Sequence, residues 1–160
     1  MPNTPTSSRS ILGMSELPTQ EHYQRLARTY LNSPTNRIYQ PRLHIEEGRA
    51  QLEIDVKRDF FHAAGAVHGS HYFKCLDDAS FFAVNSLVAD VFVLTSNFTV
   101  HLMRPISAGT LVAEGLVVNQ SKRLFWAESV LRDSEGRQLA RGNGTFMRSQ
   151  IPLTPDIGYR

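Results

Sequence analysis

The sequence predicts an α+β fold in which a curved antiparallel sheet wraps one long helix. Three observations carry this expectation. Apolar residues alternate with period two from Leu43 to Val56 and again from Asn97 onward. Between these stretches the period changes to that of a helix, and the helix is apolar nearly all round in its second half. The chain has 160 residues, of which 41% are hydrophobic, the size and composition of one globular domain.

Residues 1–18 read as a tail, because Pro2, Pro5 and a run of Ser and Thr offer too little apolar surface to repay ordering. Residues 19–150 form the domain. Its first helix runs over 19–32, with Thr19 as N-cap and Tyr23, Leu26, Ala27, Tyr30 and Leu31 at helical spacing. Asn32-Ser33-Pro34 ends it. Leu43 and Ile45, then Ala50, Leu52, Ile54 and Val56, make a hairpin about the Glu46-Glu47-Gly48-Arg49 turn. A loop from Lys57 to Gly69 leads to the long helix, Ser70 to about Val88. Its apolar stripe is Tyr72, Phe73, Leu76, Ala79, Ala83, Val84 and Leu87, with Phe81 and Phe82 outside the stripe. Four strands then follow as a meander: 97–102, 111–118, 124–133 and 138–148, the last two joined by the Ser134-Glu135-Gly136 turn. Residues 151–160 read as a second tail. Such a sheet has only this helix to cover its concave face.

Lys+Arg 17 against Asp+Glu 15 gives a net charge of +2, a weak argument for nucleic acid or membranes. The longest apolar runs, such as Val91 to Leu94, are four residues, against roughly 20 for a bilayer span. The N-terminal stretch lacks the apolar core of a signal peptide, so the cytoplasm is the expected compartment. The single cysteine, Cys75, excludes an internal disulfide. It lies mid-helix without a histidine one turn away, the pattern of a packing residue. His68 and His71 have no third ligand on the same motif, so no metal is expected. No P-loop, dinucleotide fingerprint or nucleophile elbow is present. Lys122-Arg123 near Phe125 and Trp126 reads as a solvated turn rather than an RNA site.

Three places carry possible chemistry. His68-Gly69-Ser70 sets a glycine and free N–H groups at the positive end of the long helix. Such an end stabilises an acyl-transfer oxyanion, or is simply a turn and a cap. Of the pair Asp77-Asp78, the helical wheel turns Asp78 toward Lys74 on the solvated face. It leaves Asp77 at the edge of the apolar stripe, where a carboxylate is paired or poised for work. His62 lies in the loop that feeds the helix, where its ring can order a water or merely face solvent. Gly69 and Asp77 are two turns apart, roughly 12 Å of rise. A site that uses both draws them from two chains, which points to a dimer, or has a substrate that bridges the gap.

The stretch His62-Ala-Ala-Gly65-Ala-Val-His68-Gly69, with Asp77 eight residues after Gly69, resembles the hotdog-fold acyl-CoA thioesterases of the phenylacetate-degradation type. Their pattern is Asn-x-x-Gly-x-x-His-Gly-Gly followed by an Asp at that distance. Thr95 ahead of Arg104-Pro105, Asp133-Ser-Glu-Gly136 and the Ala140 to Phe146 stretch extend the likeness over about residues 40–148. The resemblance implies that the Gly69 N–H polarises a thioester carbonyl. Asp77 of the neighbouring subunit attacks it or activates water, and Thr95 helps hold that water. It places Gly65, His68 and Ser70 along the substrate, with Phe73 and Phe81 near the acyl group and Lys122 and Arg123 as candidates for the CoA phosphates. His62 stands where the family has Asn, and Ser70 replaces the second Gly. The expected partner is a small-molecule acyl-CoA, with no further cofactor, in a homodimer or a dimer of dimers. A 3-hydroxyacyl-thioester dehydratase, using His62 or His68 with Asp77, and a non-catalytic acyl-CoA-binding protein are the alternatives. Acyl identity stays open, since Phe73, Phe81, Phe82 and Phe60-Phe61 suit an aromatic or a medium-chain group equally.

Overall fold

A computed structural model describes residues 19–160, and the expected tail over 1–18 lies outside them. The elements are α1 (Gln20–Leu31), α2 (Asn36–Tyr39), β1 (Arg42–Glu46), β2 (Arg49–Asp55), α3 (Gly69–Asn85), β3 (Val91–Leu102), β4 (Thr110–Gln120), β5 (Leu124–Arg132) and β6 (Gln138–Pro152). All six strands join one antiparallel sheet in the order β1-β2-β4-β5-β6-β3. Among the described residues no helix is long and apolar enough to cross a membrane.

The helix sits on the sheet through its small residues. Ala79 and Ala83 are fully buried, and Gly115 of β4 lets the α3 backbone come down onto the strand. A Cβ at Gly115 would lie 2.2 Å from the Ala79 carbonyl oxygen and 2.6 Å from the Ser80 nitrogen. Ser129 of β5 donates its hydroxyl to the Leu76 carbonyl at 2.8 Å, a second tie between sheet and helix.

The long helix is shorter than its hydrophobic pattern. Asn85 ends it, because its carboxamide leaves the helical frame. Nδ2 donates to the Val88 carbonyl at 2.9 Å and to that of Val91 at 3.2 Å, and Oδ1 accepts from the Val93 N–H at 3.1 Å. That side chain shapes the connection into β3, which starts at Val91 rather than Asn97.

The expected meander also changes at β3. This strand does not pair with β4 but extends the sheet beyond β6. Two glycines of β6 make room for it. A Cβ at Gly144 would meet Phe98 Cδ2 at 2.4 Å, and one at Gly142 would meet Phe98 Cε1 at 2.5 Å. The ring therefore lies against the β6 backbone.

Residues 151–160 are not a tail. β6 runs on to Pro152, Pro155–Ile157 form a 3-10 turn, and Tyr159 is buried. Its hydroxyl meets His22 Nδ1 of α1 at 2.8 Å, while His22 Nε2 lies 2.8 Å from the Asn85 carbonyl. A carbonyl only accepts, so Nε2 carries the proton and Nδ1 accepts from Tyr159. Burial holds this imidazole below its ordinary value of 6.5, with the Asn85 carbonyl opposing in part. A base lowered on folding favours the unfolded chain once protons bind. Its contribution is complete above 6.5 and is lost as pH falls through the lower folded value. We expect the melting temperature to drop between pH 8 and pH 5. His22→Gln should drop less over the same interval, and equal slopes for the two proteins would contradict this.

Candidate active site

Asp77 and Thr95 are brought together within one chain. The Thr95 hydroxyl donates to Asp77 Oδ1 at 3.0 Å. The local cause is a bulge. Thr95 faces Phe146 and Asn97 faces Thr145, so Ser96 is an extra residue in β3 and the strand is re-aimed there. Asp77 is half-buried beside this strand. Burial pushes its carboxyl up to about 6, the Thr95 hydrogen bond pulls down against that, and the Asp78 charge adds to the rise. The pair opens on a cleft of about 380 Å³ whose apolar walls include Phe81, Phe82, Phe92 and Leu94.

Asp78 is not on a solvated face. α1 covers it, and Asp78 Oδ2 accepts from the Tyr30 hydroxyl at 2.5 Å and from Lys74 Nζ at 2.6 Å. The expected Lys74 pair is present, but under a roof that the helical wheel of α3 cannot reveal. The same roof explains Phe82, which is buried with the Tyr30 ring edge-on at 4.8 Å. Asp78→Ala should cost about 1–3 kcal/mol, the usual effect of leaving a mostly buried partner unsatisfied. Denaturant unfolding checks the value, and a loss below about 0.5 kcal/mol, typical of surface sites, would contradict the roofed geometry.

At the other end of α3, Gly69 is the first helical residue and His68 its N-cap. The Ser70 N–H donates to His68 Nδ1 at 3.1 Å, with the Ser70 hydroxyl 2.9 Å from the same atom. His68 thus spends one ring nitrogen on the helix start. Among the described residues the Gly69 N–H has no acceptor. Leu102 of β3 lies over it, since a Cβ at Gly69 would meet Leu102 Cδ1 at 2.8 Å.

The His62 ring closes its own turn. Nδ1 accepts from the Ala64 N–H at 3.1 Å, and the His62 carbonyl accepts from the Gly65 N–H at 3.0 Å. An asparagine side chain makes the same contact two residues on. Gly65 has φ 84°, the left-handed region that this turn requires. His71 contacts the Tyr39 hydroxyl at 2.9 Å and stacks on Phe60. Phe73 is exposed, edge-on to Phe98 at 5.7 Å.

Gly69 and the Asp77–Thr95 pair lie at opposite ends of β3, by Leu102 and Leu94 respectively. Lys122 and Arg123 are exposed in the turn between β4 and β5. Leu124, the next residue, pairs with Met147, which pairs with Leu94. The turn is thus at the Asp77 end of the sheet, two strand spacings or roughly 10 Å from Leu94. Tyr30, Phe92 and Leu94, all at the cleft, were not among the expected site residues. Tyr30 stood in the periodic set of α1, and Phe92 and Leu94 stood in the apolar run that precedes the expected strand.

Six antiparallel strands around one helix define the hotdog fold. Residues 64–140 of this chain match the model of the thioesterase superfamily. Among solved structures it is similar to the Escherichia coli PaaI protein from the phenylacetic acid degradation operon, with a TM-score of 0.77 at 21% identity over 86% of this chain and 99% of that one. PaaI of Thermus thermophilus gives a TM-score of 0.66 at 24% identity, covering 73% of this chain and 100% of that one. A Saccharolobus solfataricus protein that carries the provisional name of an esterase is 23% identical over 104 residues, covering 65% of this chain and 74% of its own length. The likeness to the solved structures shows the fold, and the family match supports acyl-thioester hydrolysis as the general chemistry.

Proposed function

We propose that the chain hydrolyses an acyl-CoA thioester to the free acid and CoA, at a site completed by a second copy of itself. The carrying observation is the Asp77 carboxylate, raised to about 6 and held by Thr95 at the mouth of an apolar cleft. A carboxylate with that value is mostly ionised at neutral pH, and still basic enough to take a proton in the reaction.

β3 supports the second copy. The sheet has two edges. β1 is five residues long, and its Arg42 is paired with Glu53 and Asp55, charges of the kind that blunt an edge. β3 is twelve residues long and leaves Leu94 and Leu102 exposed. Two copies of β3 pairing antiparallel about a two-fold axis set the Leu102 end of one beside the Leu94 end of the other. The Gly69 N–H of one chain then approaches the Asp77 and Thr95 of its partner. The half-exposed Phe73 is covered in the same step.

In this arrangement the thioester carbonyl oxygen accepts from the Gly69 N–H at the positive end of α3, which stabilises the tetrahedral oxyanion. Asp77 takes a proton from water as the water oxygen bonds to the carbonyl carbon. The C–S bond then breaks, and the CoA sulfur receives the proton from Asp77. Direct attack by Asp77 instead expels the CoA thiolate and leaves a mixed anhydride for water to hydrolyse, and ¹⁸O found in Asp77 after a single turnover in ¹⁸O-water assigns that route. His62 supports the loop before Gly69. Lys122 and Arg123 supply positive charge for the CoA phosphates.

The dehydratase alternative needs an imidazole base facing the carboxylate. His62 Nδ1 and His68 Nδ1 are both spent on backbone N–H groups, and Asp77 is held by a hydroxyl, which favours hydrolysis. Free-thiol release from a panel of acyl-CoAs tests the reading. Release is expected, whereas hydration–dehydration without thiol, or binding without turnover, would overturn it. A strictly monomeric mass at micromolar protein would overturn the shared site.

A further inference from the structure

We propose that Phe92 is the stop that sets the length of acyl chain the enzyme accepts. This rests on the thioesterase reading of Asp77. Two clefts lie along α1. The first, about 380 Å³, holds Asp77 and Thr95. The second, about 510 Å³, lies between the end of α1 and the C-terminal segment and includes Ile151, Ile157 and Gly158. They share three lining residues, Thr29, Ser33 and Phe92. Of these only Phe92 carries a bulky side chain, so its ring is the partition.

Phe92 is held through its ring and through its backbone. The ring centroid is 5.0 Å from that of Phe81. Its carbonyl accepts from the Ser149 hydroxyl at 2.6 Å, and the pairing of β3 with β6 shifts register between Val91 and Val93. Three β6 residues, 149–151, face the single Phe92 there, and a side chain beside such an irregularity is re-aimed.

The occupant is apolar. Away from Asp77 and Thr95, the Tyr30, Lys74 and Asp78 side chains of the first cleft wall bond to one another, and the Thr29 hydroxyl is spent on the Arg25 carbonyl. Ser33 and Thr35 are small, so Phe81, Phe82, Phe92 and Leu94 make most of the surface a ligand meets. An acyl chain whose carbonyl is at Asp77 extends along these residues and ends at Phe92. Beyond that ring the second cleft offers further apolar room that the parent protein does not use.

The experiment is kcat/KM, by thiol release, for straight-chain acyl-CoAs of increasing length, with the parent, Phe92→Ala and Phe92→Leu. Each buried methylene should raise kcat/KM about fourfold, from the usual transfer energy, until the chain reaches Phe92, where the rise stops. In Phe92→Ala the rise should continue into longer chains, and Phe92→Leu should move the break part of the way. A break at the same length in both variants overturns the proposal and leaves thioester hydrolysis standing. No thiol release from any length by the parent overturns the thioesterase reading itself. Should Phe92→Ala lack a cooperative melt, Phe92→Leu decides alone, and an unmoved break there overturns the proposal.

Discussion

Asp77→Asn should lower kcat by about 10²–10⁴, the scale of a lost general base, while KM changes little. Asparagine keeps the shape of the side chain and an oxygen to accept from Thr95, so the cleft and its lining persist. Only the negative charge and its proton affinity are removed. The pH profile of the parent has a matching feature. Because the Asp77 carboxyl titrates at about 6, activity should fall as pH drops through that value, and no such limb should remain in the residual activity of Asp77→Asn. Stability should move the opposite way. A carboxyl raised on folding contributes most below its unfolded value of 3.8 and loses that contribution as pH rises through about 6. At neutral pH its ionised form therefore opposes folding, and the neutral amide should raise the melting temperature. A variant with near-parent turnover would refute the mechanism. A variant that loses turnover but also melts earlier would show that Asp77 is structural.

Gly115→Val should prevent the domain from forming a stable fold. The residue lies where α3 presses directly on β4, and the atoms that a Cβ would meet, at 2.2–2.6 Å, are backbone atoms of Ala79 and Ser80. Backbone cannot swing aside as a side-chain tip does, so the whole helix must lift from the sheet. Even ordinary overpacking costs about 1–3 kcal/mol, against a total stability of about 5–15 kcal/mol for a domain. Gly115→Ala should lose at least about 3 kcal/mol, from that range, and the valine variant should show no cooperative melt. Glu114→Val, one residue away with its side chain exposed, should melt near the parent. A Gly115→Val protein that melts like the parent would mean that α3 does not rest on β4 at this point.

The legible parts of this molecule are those in which one element decides its own face. The period of α1 and its Thr19 cap, the first hairpin and the apolar second half of α3 follow from residue spacing alone. The position of β3 does not, because pairing with β6 depends on Gly142 and Gly144 more than forty residues away in sequence. The wheel of α3 separates Asp77 from Asp78 correctly in direction. It cannot show that α1 folds over Asp78, since that contact belongs to Tyr30. Residues 151–160 read as a tail. What holds the segment is one aromatic side chain, Tyr159, and a single tyrosine near a chain end carries no periodic signal. Of the candidate site residues, Gly69 and Asp77 stand out from the helix start and the helical wheel, and Thr95 from the resemblance alone. The bulge at Ser96, which turns Thr95 to Asp77, and the cleft behind them come from tertiary pairing and left no local pattern.

The bond between His22 and Tyr159 spans 137 positions of sequence, and this bears on how the molecule is made. Synthesis delivers α1 before its anchor. While the 137 positions between them are made, the apolar side of α1, with Leu26 and Tyr30, has no C-terminal segment to close against. Contacts this distant in sequence are slow to form, because the intervening chain must first be ordered. The sheet and α3 should thus be in place before α1 is locked, with the roof over Asp78 and the wall of the cleft beside Asp77 among the last parts to become rigid. A protein truncated before Tyr159 should carry a formed sheet and a loosely held first helix, readable as rapid amide exchange confined to α1.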